Sequence, residues 1–207
     1  MSVKLRHETQ ANADFTATDR RAREVLSFWF GEGAWHGLSR KAWFEKDPAF
    51  DAEIRERFLA LYEEAAAMQL AAWTARAPEC LALVIVLDQF PRNMFRGTAR
   101  AFAADPVALE AAKHAIARGY DSGMAPAERL FLYLPFEHSE SLDDQWRALA
   151  LIAPLAPWPE TADVFRYAVR HWEIIRRFGR FPHRNAMLAR ASTPEEIEFL
   201  KIPGSGF

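Results

Sequence analysis

Apolar residues recur at intervals of three and four along nearly the whole chain. Phe50, Ile54, Phe58, Leu61, Ala65 and Met68 form one such stripe, and Phe165, Ala168, Trp172, Ile175 and Phe178 form another. That spacing lines one side of a 3.6-residue helix. Sustained period-two alternation is missing, as are the Asn-Gly and Asp-Gly pairs that turn hairpins, so strands have no pattern to build on. The expectation is an all-α fold. Asp47 suits an N-cap, with Pro48 at the first helical position of the first stripe; the second begins near Pro159 and closes at Gly179. Further helices are predicted at about 18–30, 78–89, 106–118, 126–134 and 142–156, with cap signals at Asp105-Pro106 and Ser141 and a stop at Gly119. Thr193-Pro194-Glu195-Glu196 is a capping-box start for a short last helix. The segment CLALVIVL, residues 80–87, is short and branched enough for a buried strand, but its helical flanks leave such a strand no partner, and it reads as a buried helix.

Half of the 207 residues are apolar, enough for a core without metal or disulfide staples. Links between the helices look short and no low-complexity linker interrupts them, so one domain is expected over residues 18–207, with residues 1–17 as a loose tail. Cys80 is the sole cysteine, which excludes an internal disulfide; inside its apolar run it reads as a buried, inert thiol in a reducing compartment. The first twenty residues are charged and lack a signal-peptide core, so a cytoplasmic location is expected. No run approaches the ~18 apolar residues a membrane span requires. The formal net charge of −2 speaks against a general polyanion binder. Locally, Arg166, Arg170, Arg176, Arg177, Arg180 and Arg184 crowd one stretch, which reads as a solvated helix face before it reads as a nucleic-acid surface.

Polarity then appears where apolar helices stop. In LVIVLDQFPRNMFRG, residues 83–97, a core-like run meets Asp88, and a carboxylate in the last turn of a helix opposes the macrodipole. Phe90, preceding a proline, is biased to extended backbone, which would turn Arg92 or Arg96 back over the helix end. An Asp88–arginine bidentate pair is then either a structural latch or part of a site. In LFLYLPFEHSES a second helix stops at Pro135 and presents Glu137, His138 and Glu140, a set suited to acid–base chemistry or to capping the next helix. In FGRFPHRN, Arg180, His183, Arg184 and Asn185 repeat the Phe-Pro and Arg-Asn of the first motif. They offer guanidinium and amide donors of the kind that recognise carboxylate or phosphate. His171 borders the buried stripe one turn before Ile175. Phosphate loops, nucleophile elbows, cysteine-rich zinc spacing and di-iron pairs are absent. Glu110 and His114 share a helix face, but one such pair reads as a solvated contact, so neither metal nor cofactor is expected.

Taken together, VLDQFPRNMFRG, LFLYLPFEHSES and FGRFPHRN, with VLSFWFG near the start, resemble an uncharacterised bacterial family, a domain of unknown function assigned to the tetratricopeptide-repeat-like helical superfamily. The likeness runs from about Arg23 to Phe199. It implies a right-handed, irregular stack of antiparallel helix pairs, about eight to nine helices, and it implies no catalytic residue. Unequal helices with sixteen Phe and seven Trp fit such a stack better than a strict heptad bundle.

Two functional readings follow. In the first the chain is a binding module for a small anion or peptide carboxylate, in which Arg92, Arg96, Arg180 and Arg184 hold charge and Asn93, Asn185 and His138 set orientation. Asp88, Glu137, His171 and His183 belong to the same candidate site. In the second it is a hydrolase or transferase on an anionic substrate, with His138 or His183 as base and Glu137 or Asp88 as orienter. Homo-oligomers are compatible with either.

Overall fold

The computed structural model describes residues 18–33, 41–158, 161 and 163–206, so the expected tail at 1–17 and the Pro159 helix start lie outside the described residues. Among the described residues there are eight α-helices and no strand. They are α1 (Arg20–Phe30), α2 (Pro48–Ala66), α3 (Ala77–Met94), α4 (Asp105–Ala117), α5 (Pro126–Glu137), α6 (Leu142–Ile152), α7 (Val164–Phe178) and α8 (Pro194–Leu200). Short 3-10 turns join several of them, including Ala99–Phe102 before α4 and Pro182–Arg184 after α7.

Side-chain caps stand at three starts where the sequence expects them, at Asp47, Ser141 and Thr193. Asp47 accepts from the backbone N–H groups of Ala49 and Phe50, and Thr193 and Glu196 close a reciprocal box at α8. Gly179 ends α7 with φ +68°, a left-handed conformation that a side chain disfavours, and its N–H reaches Ile175 O at 2.8 Å. Asp105 departs from expectation: it is the first residue of α4 rather than its side-chain cap, because its carboxylate is engaged by two arginines described below.

The helix α3 is buried on every side because α1, α2, α4 and α5 all pack on it, which resolves residues 80–87 as helix. The expected stop at about residue 89 is corrected. The helix passes through Pro91 to Met94, and α5 likewise passes through Pro135 to Glu137 rather than ending at 134. An internal proline removes one helix bond and costs about 3 kcal/mol. Continuation keeps Phe90 fully buried, with ring centroids 4.8 Å from Phe58 and 5.8 Å from Trp29, and burying a phenylalanine recovers about 1.5–3 kcal/mol. Side chains also bond carbonyls near the two helix ends. Asn93 Nδ2 donates to Gln89 O and Arg92 Nη1 to Asp88 O. At the end of α5 the buried Gln145 of α6 donates to the carbonyls of Glu137 and Ser139 at 2.6 and 2.7 Å. The helix α6 stops at Ile152, short of the expected 156, where Ala153–Leu155 tightens into a 3-10 turn.

The main core runs through α1 to α6, takes in Ala168 of α7, and is dominated by aromatic contacts among Trp29, Trp43, Phe50, Phe58, Phe90 and Phe131. A smaller cluster of Ile174, Ile175 and Phe181 forms separately around the end of α7. Between the elements carrying these two clusters lies a chain of buried polar groups.

Candidate functional site

Asp88 is fully buried in α3, and both of its oxygens are used. Oδ1 lies 2.8 Å from His138 Nδ1, at the end of α5, and Oδ2 accepts from Gln89 Nε2 at 2.6 Å. Burial pushes the carboxyl pKa up, but Arg92 and His138 outweigh it and hold it at about 2. His138 is pushed the other way: burial and the Arg92 charge lower its pKa, against a partial offset from Asp88. At neutral pH this is a carboxylate accepting from the Nδ1–H of a neutral imidazole, which leaves the lone pair on Nε2. The His138 side chain keeps 14% of its surface, and Nε2 makes no hydrogen bond among the described residues.

The expected Asp88–arginine bidentate pair is corrected. Arg92 Nη1 is 3.4 Å from Asp88 Oδ1, and its two-pronged contact goes instead to Asp105 of α4, at 2.8 and 3.0 Å. Asp105 is shared. Arg184 Nη1, in the turn after α7, reaches its Oδ2 at 3.4 Å. That is a weak bond for an arginine only 6% exposed. The buried Nε of Arg184 has no hydrogen-bond partner, and its guanidinium lies 4.7 and 4.4 Å from the ring centroids of Phe102 and Phe181. Burial, and then repulsion from Arg92, lower its pKa to about 10. It is a buried cation with incomplete compensation.

On the other side of His138, at 6.3 Å between ring centroids, stands His171 of α7. Its Nδ1 is 2.9 Å from Glu137 Oε1 and 2.9 Å from Tyr167 O, and its ring meets Phe181 edge to face. Glu137 Oε2 is buried without a hydrogen-bond partner. His183 lies beside Phe181, and burial, reinforced by Arg184, depresses its pKa to about 4.

Asp88, Arg92, Glu137, His138, His171, His183 and Arg184 are thus linked in one series of contacts, in which His171, His183 and Arg184 meet Phe181 and the others follow through His171, His138 and Asp105. The other candidates are not. Asn93 and Arg96 turn towards α2, where Arg96 clamps Asp51 at 2.6 and 2.9 Å. Arg180 and Asn185 join the start of α8: Arg180 clamps Glu196 at 2.6 and 2.8 Å, and Asn185 Nδ2 donates to Ser192 and Glu196. The arginine-rich stretch is largely paired inside the chain, with Arg166 on Asp163, Arg177 on Glu195 and Arg170 on the Gly204 carbonyl.

Four contributors, Asp105, Phe102, Phe181 and Arg190, escaped the sequence reading as site members, whereas Glu140 was read there with Glu137 and His138. Asp105 joins Arg92 to Arg184, Phe102 lies by both guanidiniums, and Glu140 takes two bonds from Arg190 and one from the Phe181 N–H. Burial raises the pKa of Glu140, and those Arg190 and Phe181 bonds bring it below the usual carboxylate value. Glu110 and His114 do not form a site together: Glu110 takes Lys113, and His114 Nε2 lies 3.0 Å from Thr74 O. Among the described residues no group of three metal-ligating side chains occurs, and no helix is long and apolar enough to cross a membrane. An open cleft of about 530 Å³ lies elsewhere, at α1 and α2, lined by Arg20, Arg23, Glu24, Phe28 and Arg57 among others.

Residues 25–204 match a family described as bacterial protein of unknown function, DUF924. A solved structure, that of the protein of unknown function ATU0120 from Agrobacterium tumefaciens, is similar to the chain at 42% identity and a TM-score of 0.78, over 87% of this chain and 97% of that one. No curated protein matches.

Proposed function

Because the chain belongs to the bacterial DUF924 family, whose description assigns no activity, its function has to be read from the polar network, and we propose that it is a binding module for a small anion or a peptide carboxylate. The observation that carries this reading is Arg184: buried, with an unpartnered Nε and one 3.4 Å bond to an acid it shares with Arg92. An arginine taken out of water needs its donors filled, and a carboxylate or phosphate fills two at once. The edges of Arg92, Asp105 and His138, which keep a small share of their surface in solvent, give such a ligand an approach. Packing of each helix from α2 to α7 against its chain neighbour, with α3 also touching α1 and α5, is in keeping with a tetratricopeptide-like stack presenting loop residues along one edge.

Calorimetric titration with orthophosphate and with acetate at neutral pH tests the reading. Saturable binding is expected in the wild type. Arg184→Ala and Arg92→Ala should abolish it while the helical circular dichroism persists. Absence of saturable binding of either anion in the wild type rejects the reading, and loss of fold in both variants makes the network a structural latch.

A further inference from the structure

We infer that His138 is a general base, held by Asp88, that activates water against the ester bond of a small anionic carboxylic ester docked on Arg184. The inference rests on the anion reading for the position of the ligand and adds a chemical step to it.

Three features of His138 go beyond what a structural histidine requires. Its Nδ1 faces a carboxylate at 2.8 Å that is itself fixed by Gln89 and Arg92, so the tautomer is set by a group that stays ionised. Its Nε2 carries the free lone pair, has no hydrogen-bond partner among the described residues, and sits in a side chain that keeps contact with solvent. Burial first, and then Arg92 on α3, keep it neutral against Asp88 on α3 and Asp105 on α4, which favour protonation, while His171 of α7 faces it at 6.3 Å between ring centroids. A neutral imidazole oriented by a carboxylate is the arrangement of a base that works near neutral pH.

The step balances within the ligand and one water. Nε2 takes a proton as the water oxygen bonds to the acyl carbon. The tetrahedral intermediate then expels the alkoxide or phenoxide, and the imidazolium returns the proton to that leaving oxygen. Products are an acid and an alcohol, and the histidine ends neutral. Asp88 is a positioning residue: it touches no reacting atom, but it stabilises the imidazolium that forms midway.

The test uses the full chain with the mono-4-nitrophenyl ester of glutaric acid, which carries a free carboxylate, and 4-nitrophenyl acetate, which does not. General-base participation is worth about 10²–10⁴ in rate. We expect His138→Gln to lower hydrolysis of the anionic ester at least a hundredfold with circular dichroism unchanged, and the wild-type rate to climb with pH and level off once the imidazole is deprotonated. Asp88→Asn should lower kcat at least tenfold and shift the His138 tautomer seen by nitrogen-15 NMR. Preference for the anionic over the neutral ester, lost in Arg184→Ala, separates the two proposals. Equal turnover of both esters, still dependent on His138, would keep the base and discard the anion site. Wild-type rates equal to those of His138→Gln on both esters overturn the base, and so does an NMR spectrum in which Nε2, rather than Nδ1, carries the proton; the NMR result holds whatever ester is used.

Discussion

Asp105→Asn removes the charge that Arg92 and Arg184 share while keeping the side chain's shape. Asp105 accepts two bonds from Arg92, at 2.8 and 3.0 Å, and one from Arg184 at 3.4 Å. Hydrogen bonds to a charged group contribute about 1.5–3 kcal/mol each, and the amide keeps one acceptor while turning a donor towards a guanidinium. Arg184 then has no close carboxylate in a site where its side chain is 7% exposed. Breaking a buried ion pair by removing one partner costs about 3–5 kcal/mol; the residual exposure of Asp105, 18% of its side chain, places the expected loss near the lower end, about 3 kcal/mol. Urea unfolding followed by circular dichroism measures it as a fall in midpoint at constant m. A cycle with Arg184→Leu should show the double variant to be more stable than the two separate losses imply, by about 1–2 kcal/mol, because the cation stranded by the first change is gone in the second. Orthophosphate should restore more stability to Asp105→Asn than to the wild type, since it fills the donors that the acid vacated. A loss below about 1 kcal/mol, strictly additive and indifferent to phosphate, refutes the claim that Asp105 compensates a buried guanidinium pair.

Acid should weaken the fold in a defined window. Asp88 and Glu196 are both held at about 2, Asp88 by Arg92 and His138 against burial and Glu196 by the Arg180 clamp; depressed pKa values contribute stability above the unfolded-state range near 4, which is lost as pH falls through about 2. Urea midpoints measured down that range should drop, and Asp88→Asn should flatten the slope; an unchanged slope in the variant shows that Asp88 carries no linkage. Cys80 is fully buried, its thiol pushed up to about 12 by burial, with Sγ 3.6 Å from Ala111 O. Thiol reagents at mildly alkaline pH should therefore label it only at the rate of global unfolding, and labelling at a free-thiol rate would contradict the packing of α3 on α4.

Helix placement was legible because it depends on local periodicity, and so were the caps at Asp47 and Thr193, whose partners lie within three residues. The ends at Pro91 and Pro135 were not. Proline's local bias argues for a stop, but tertiary packing decides: stopping at Gln89 would withdraw Phe90 from Phe58 and Trp29. Partner choice was hidden for a different reason. Asp88 meets His138 across 50 residues, and Asp105 meets Arg184 across 79. A pattern reading sees that Asp105 precedes a proline and assigns it the nearest role, that of a cap. The two Phe-Pro motifs show the limit of likeness: the first proline is inside a long helix, the second opens a 3-10 turn, and their asparagines end on different neighbours.

Charge balance narrows the eleven candidate residues further. Arg96, Arg180 and Arg190 each hold a carboxylate through two bonds of 2.6–2.9 Å. Such forks are already filled, so an incoming anion would have to break a charge-assisted pair to reach them and would gain little. Arg92 is divided between Asp88 and Asp105, and burial, outweighed by those two acids, leaves its pKa raised; it too is satisfied. Arg184 alone among the five has a buried, unfilled donor and a single long bond. On the anion reading, the ligand bonds Arg184, leaves Asp105 on Arg92, and stays away from the filled Arg180–Glu196 pair. A ligand that instead displaced Glu196 would release Thr193 and the start of α8, so binding there would loosen the C-terminal helix, whereas binding at Arg184 should tighten the whole fold.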